Sequence, residues 1–224
     1  MERTLTLWVD INRLSRGDAS GLVLRMMMAA NDIALANWGL TEFKKPQPRL
    51  SRHMQNGACL YFVRLQCGHL SEALKLIVEL NKDPNSKARV ERCNETAKQA
   101  YSTLNCCVPG GVNHDRFTKW VERIRHNVSF HYDPISVQRA LARLGAQRTT
   151  GSVTLGTRMG LWRFNLADVV TDSIICLQIF GIPADADLRA EADKMAEFGG
   201  QVCVSFLEFA SNYALQFVRD LALL

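Results

Sequence analysis

The 224-residue chain, 47% apolar and 22% charged, has the composition of a folded globular protein and is long enough to bury one sizeable core, which excludes a disordered polypeptide. Its 27 basic and 22 acidic side chains leave a net charge of +5, too small to name a partner by itself. No run of about 18 apolar residues is present, and the opening MERTLTLWVDINRL lacks the pattern of a secretory signal, so neither a membrane span nor export is predicted and a cytoplasmic location is expected.

Apolar residues recur three and four apart through most of the chain, which predicts an all-α fold organised as one domain over residues 1–224. A first helix is expected from near Asp18 through GLVLRMMMAANDIALANWGL, stopping at Gly39 or shortly after, with the Met26–Met28 triplet packed in the core. The proline-broken KKPQPRL follows. A second helix is expected from about Leu50 to Leu80, bending at Gly68, and NKDPNS ends it. A third covers about Lys87 to Leu104, and VPGGVNHD turns the chain.

The fourth predicted helix runs from about His114 to Phe130, with Phe117, Trp120, Val121, Ile124 and Val128 on one apolar stripe. Asp133 and Pro134 suit the cap and first turn of the next helix. The β-branched, glycine-bearing stretch near 150–164 allows a short β-hairpin. Two last helices are expected, Asn165 to Phe180, a core helix because Asp168 and Asp172 interrupt it, and Leu188 to Leu223, broken or kinked at Gly199-Gly200.

The seven cysteines include no C-x-x-C pair and read as small buried hydrophobes in a reducing compartment. No His, Cys and carboxylate set has zinc-like spacing, and GTRMG and VPGGV lack the lysine and the strand–loop–helix setting of a phosphate loop. No metal or cofactor is therefore expected. Charge is distributed unevenly: residues 113–148 hold seven basic against three acidic side chains, residues 185–224 three against seven. The basic stretch suits a polyanion, although a solvated helix surface would look the same.

Within that stretch lies RHNVSFHY, Arg125 to Tyr132. Histidine titrates near neutrality and can take a proton from a ribose 2′-hydroxyl or give one to a leaving 5′-oxygen. Arginine presents a permanent, planar fork of donors to a phosphate gaining charge during attack. Spacing alone does not single the pair out, because Arg64 and His69 have four residues between them and Arg125 and His131 have five. Arg64 sits in mid-helix among apolar residues, whereas the second pair ends at a helix junction.

On a straight α-helix positions 125 and 131 would point about 120° apart, so convergence requires the helix to stop near Phe130. Asn127 stands four residues before His131 and could orient its imidazole. The structural alternative is a histidine closing a helix end, with Arg125 paired to Glu122 or Asp133. Glu72 reads as a surface or interhelical carboxylate, with a pairing to Arg125 as the other option.

The string IRHNVSFHYD resembles the signature of the HEPN superfamily, an arginine, a polar residue, a few variable positions and a histidine: Arg125, His126 and His131 here. The FHYD ending and the helix YFVRLQCGHLSEAL resemble prokaryotic members, and together these cover about the central third of the chain. The resemblance implies a helical bundle, a homodimer that brings two motifs to one cleft, and metal-independent endoribonuclease activity, often in toxin–antitoxin or antiphage systems. Catalysis would fall to Arg125 and His131, with His126, Asn127 and Tyr132 supporting. Partners implied are RNA and an antitoxin or nucleotidyltransferase, although the tyrosine such a transferase modifies stands two residues after the histidine, and Tyr132 is adjacent to it. Some members only bind nucleotide or RNA, and a non-catalytic module binding RNA, nucleotide or a protein is the alternative.

Overall fold

The computed structural model describes residues 9–14, 17, 19–46, 51–129, 132–147, 150, 153, 164–182 and 188–221. The fold is all-α, with no strand among the described residues. The hairpin expected near 150–164 lies outside them, apart from residues 150, 153 and 164.

A short α1 (Ile11–Leu14) precedes two long helices, α2 (Ser20–Lys44) and α3 (Arg52–Leu80). The two run antiparallel, as the order of their polar links shows: Arg25 bonds Glu79, His69 faces Asp32 at 3.6 Å, and Gln66 donates to Asn37 at 3.1 Å. Gly39, at or shortly after which the sequence predicts the end of α2, lies five residues inside it: the Phe62 ring of α3 occupies the space, so that a Cβ there would stand 2.3 Å from it. Helix α2 runs on to the residues before Pro46, where the proline cannot continue it. Helix α3 runs unbroken through Gly68 from its Ser51 cap, whose hydroxyl accepts the Met54 amide at 3.3 Å.

The third helix expected from Lys87 to Leu104 is two helices, α4 (Pro84–Glu91) and α5 (Glu95–Asn105). Asp83-Pro84, read as a stop, is also a start: the Asp83 carboxylate accepts the Ser86 amide at 3.0 Å. Asn94 then accepts the Ala97 amide at 2.9 Å and opens a new helix, because its side chain competes for a backbone donor that a continuous helix would use. The turn after α5 is tight, with the Asn113 amide on the Cys106 carbonyl at 2.7 Å and Gly110 at φ +88°.

The fourth element is only briefly α-helical. After α6 (His114–Phe117), π-helical turns occupy Thr118–Glu122, the first π segment, and Arg125–Ser129, the second. Next come α7 (Pro134–Gln147), α8 (Asn165–Ser173), a third π segment (Ile174–Ile179) and the 33-residue α9 (Leu188–Asp220), unbroken at Gly199-Gly200. No described helix is long and apolar enough to cross a membrane.

Two buried clusters hold these elements. The larger joins α2, α3, α5 and α9 through fully buried Ile33, Ile77, Leu104, Phe206, Phe209 and Phe217. The smaller joins Ile124 and Val128 to Ala140 of α7 and to Val170, Ile174 and Ile179. The π-helical element spans both, contributing Phe117 and Val121 to the first and Ile124 and Val128 to the second.

Candidate functional site

Arg125, His126, Asn127 and Ser129 stand on the second π segment, which packs along α3. A π turn bonds residues five apart and so accommodates one residue more than an α turn, an arrangement frequent at functional sites. Ile124 and Val128, 3% and 2% exposed, pin the segment to the smaller cluster. The Ser129 hydroxyl sits between the carbonyls of Ile124 at 3.2 Å and Arg64 at 3.1 Å, with one proton to donate between them. Ser129 therefore fastens the segment to α3, a role that nothing in its immediate sequence signals.

With that side of the turn fixed, the Arg125 side chain reaches α3, where Nη2 meets Glu72 Oε1 at 2.5 Å. Its Nε is buried without a hydrogen-bond partner, while 21% of the side chain stays accessible. The same Glu72 oxygen takes the Lys75 ammonium at 2.8 Å. Burial at the helix contact pushes the Glu72 carboxyl up, and the bonds and charges of Lys75 and Arg125 more than reverse it, leaving it below its ordinary value. The partner of Arg125 is thus Glu72, and neither Glu122 nor Asp133 bonds it among the described residues. Glu72 is half exposed, so the pair is worth about 1 kcal/mol or less, and a stronger anion could exchange for the carboxylate.

Asp133 is committed to α7. Its Oδ2 accepts the Ser136 amide at 2.9 Å and the Ser136 hydroxyl at 2.5 Å, which holds its carboxyl below the ordinary value. Its own amide donates to the Asn127 carbonyl at 3.3 Å, which ties the start of α7 to the second π segment. His126 is exposed, Asn127 half-buried and Tyr132 72% exposed. Phe130 and His131 lie outside the described residues, and with them the expected convergence of Arg125 and His131 and the Asn127–His131 contact. The angle of about 120° between positions 125 and 131 does not carry over, because it assumes α geometry and residues 125–129 are π-helical.

The other arginine–histidine pair is divided. His69 turns to Asp32 on α2, whereas the Arg64 guanidinium lies 6.0 Å over the Tyr61 ring with Nε buried and unbonded. The Arg64 backbone, through Ser129, nevertheless belongs to the contact that positions Arg125. Of the other basic side chains here, Lys119, Arg123, Arg139 and Arg143 are exposed, and Arg116 stacks 4.1 Å over Trp120 and 4.3 Å over Phe198.

No protein-family model, curated protein or solved structure matches the chain. Among the described residues, no group of three His, Cys, Asp or Glu side chains is placed to hold a metal ion.

All seven cysteines are free thiols. Burial pushes Cys67 and Cys203 up to about 12 and Cys107 up to about 11. At Cys176 burial, joined by the Asp172 carboxylate, does the same, to about 12. Because the thiolate is the reacting species, these four should alkylate at pH 8 at least about 100-fold more slowly in the native protein than in urea. Equal rates for Cys67 and Cys203 in the two states, by mass-spectrometric mapping, would contradict this burial.

Proposed function

We propose that the chain is a metal-independent endoribonuclease of the HEPN type. The observation that carries the reading is Arg125: a guanidinium fixed on a π turn, partly open to solvent, and held by one half-exposed carboxylate that a phosphate can displace. In this reading His131 takes the proton from a ribose 2′-hydroxyl, the 2′-oxygen attacks phosphorus, and the P–O5′ bond breaks. The imidazolium so formed gives that proton to the leaving oxygen, and the products are a 2′,3′-cyclic phosphate and a 5′-hydroxyl. Arg125 stabilises the charge that grows on the phosphoryl oxygens, and His126, Asn127 and Tyr132 position the substrate.

A homodimer would bring two such motifs to one cleft. In support, α2 is apolar on both sides: Met26 and Ile33 enter the core, while Leu24, Met28, Leu35 and Trp38 remain 42–65% exposed at helical spacing and offer a face to a second copy. Cytoplasmic action in a toxin–antitoxin or antiphage setting, with an antitoxin or nucleotidyltransferase as partner, belongs to the same proposal.

The test is incubation of purified protein with RNA in EDTA. Cleavage is expected, falling by about 10²–10³-fold in Arg125→Ala and being lost in His131→Ala. Intact RNA at high protein concentration, or cleavage unchanged in His131→Ala, overturns the catalytic reading. A second reading, a non-catalytic module binding RNA, nucleotide or a protein, is favoured by the Arg125–Glu72 pair, which already engages the arginine. It predicts RNA binding that weakens steeply with salt and no turnover.

A further inference from the structure

A cavity of about 720 Å³ lies between α2, α3, the first π segment, α8 and α9. That volume is in the range of small-molecule sites, about 300–1,000 Å³. Its walls are mainly apolar, with Leu40, Leu60, Val63, Trp120, Ile175 and Phe198 among them. Two carboxylates one helical turn apart on α8, Asp168 and Asp172, also line it.

Asp172 differs from the ion-paired carboxylates of the fold. Arg25 serves Glu79, Arg89 and Arg92 serve Asp220, and Lys75 and Arg125 serve Glu72. Asp172 takes only a weak thiol donor, Cys176 Sγ at 3.7 Å, and no described cation pairs with it. Asp172 is exposed at the cavity wall, yet the protein atoms around it push its carboxyl up, and the thiol's hydrogen bond offsets only part of that. Lys44, the one cation among the described lining residues, acts on the Cys59 thiol of α3 and does not contribute at Asp172.

The wall of α9 gives an independent observation. Gly199 and Gly200 sit inside a 33-residue helix, where glycine is the least favourable residue but proline, and both line the cavity. A Cβ added at either would meet nothing within 4 Å. Gly199 is half-buried and Gly200 exposed, so neither glycine adds a side chain at this edge of the cavity.

We propose that this cavity binds a small amphiphile with an apolar body and a protonated amine head, the head paired with Asp172 and the body lying against Trp120, Ile175 and Phe198. An ammonium supplies the counter-charge that Asp172 lacks, and the apolar walls shed water onto a hydrocarbon or aromatic body. The proposal does not rest on the ribonuclease reading, since Asp172 and Gly200 take no part in that site.

The probes are octylammonium chloride, 1-octanol and sodium octanoate, each titrated below its micellar concentration into the full chain by calorimetry. Saturable one-to-one binding of octylammonium is expected, at least about tenfold tighter than either analogue. Asp172→Asn should remove that preference while leaving octanol binding unchanged. Gly200→Leu, checked for intact helix content by circular dichroism, should abolish binding of all three. The proposal is overturned by an absence of saturable octylammonium binding, by octanoate binding as tightly, or by undiminished preference in Asp172→Asn. The Asp172→Asn comparison stands even should Gly200→Leu fail to fold.

Discussion

Arg89→Ala is expected to lower the free energy of unfolding by about 3 kcal/mol, the lower end of the range for breaking a buried ion pair. Arg89 on α4 has a side chain only 10% exposed and reaches α9 by three routes. Its Nε donates to Asp220 Oδ2 at 2.9 Å, its Nη1 to the Tyr213 hydroxyl at 3.3 Å, and its guanidinium stacks 4.8 Å from the Phe217 ring. The loss is kept to the lower end because Arg92 still bonds Asp220 at 2.5 Å. Asp220→Asn should cost more, since it deprives both arginines at once. Urea denaturation measures both, and a change under 1 kcal/mol in each would show that this cluster does not tie α4 to α9.

The same cluster sets an acid dependence. Burial pushes the Asp220 carboxyl up, but hydrogen bonds from Arg92, Gln216 and Arg89 outweigh it and leave the carboxyl below its ordinary value. A group whose folded value is lowered contributes stability above its unfolded value, about 3.9, and loses it as pH falls through the folded value. Wild-type stability should therefore decline below about pH 4, less steeply in Asp220→Asn. Asp83 and Asp133, lowered by their helix-cap bonds, add to the wild-type slope, so the difference between the two proteins reports Asp220.

Phe209→Ala is the other large effect, about 3–5 kcal/mol. Phe209 is fully buried, with Tyr101 of α5 at 5.1 Å on one side and Tyr213 at 5.3 Å on the other. Its removal opens a space in the contact between α5 and α9. Tyr213 is shared with Arg89, so Phe209→Ala and Arg89→Ala should not add, and the double variant should depart from the sum by about 0.5 kcal/mol or more. Strict additivity would mean that Tyr213 transmits nothing between them.

The fold class was legible because helical periodicity is a local signal, repeated along α2, α3 and α9. The differences in the helix limits have physical causes, one of them distant in sequence. Gly39 looks like a terminator until Phe62, distant in sequence, is seen to need its space. Asn94 was readable as a cap, but the apolar pattern across residues 87–104 is continuous and hid the break. The π turns were not legible, because Phe117, Trp120, Val121, Ile124 and Val128 suit a stripe on either geometry.

At the candidate site, the Asp133-Pro134 start of α7 was visible in the sequence. The Arg125–Glu72 pair was only one of two options for that glutamate, since it joins residues on different helices that no short motif links. The contribution of Arg64 through its carbonyl has no side-chain signature at all.

The π turns carry one further consequence. Each accommodates one residue beyond an α turn, so the stretch from Thr118 to Ser129 holds slack that a regular helix would not have. Tightening one turn to α would shift everything beyond it by one position, about 100° around the axis. The direction in which Arg125 leaves its helix is thus a matter of counted residues: tightening the first π turn with no residue removed would re-aim the guanidinium, whereas deleting its one extra residue would let an α turn form with Arg125 still facing α3.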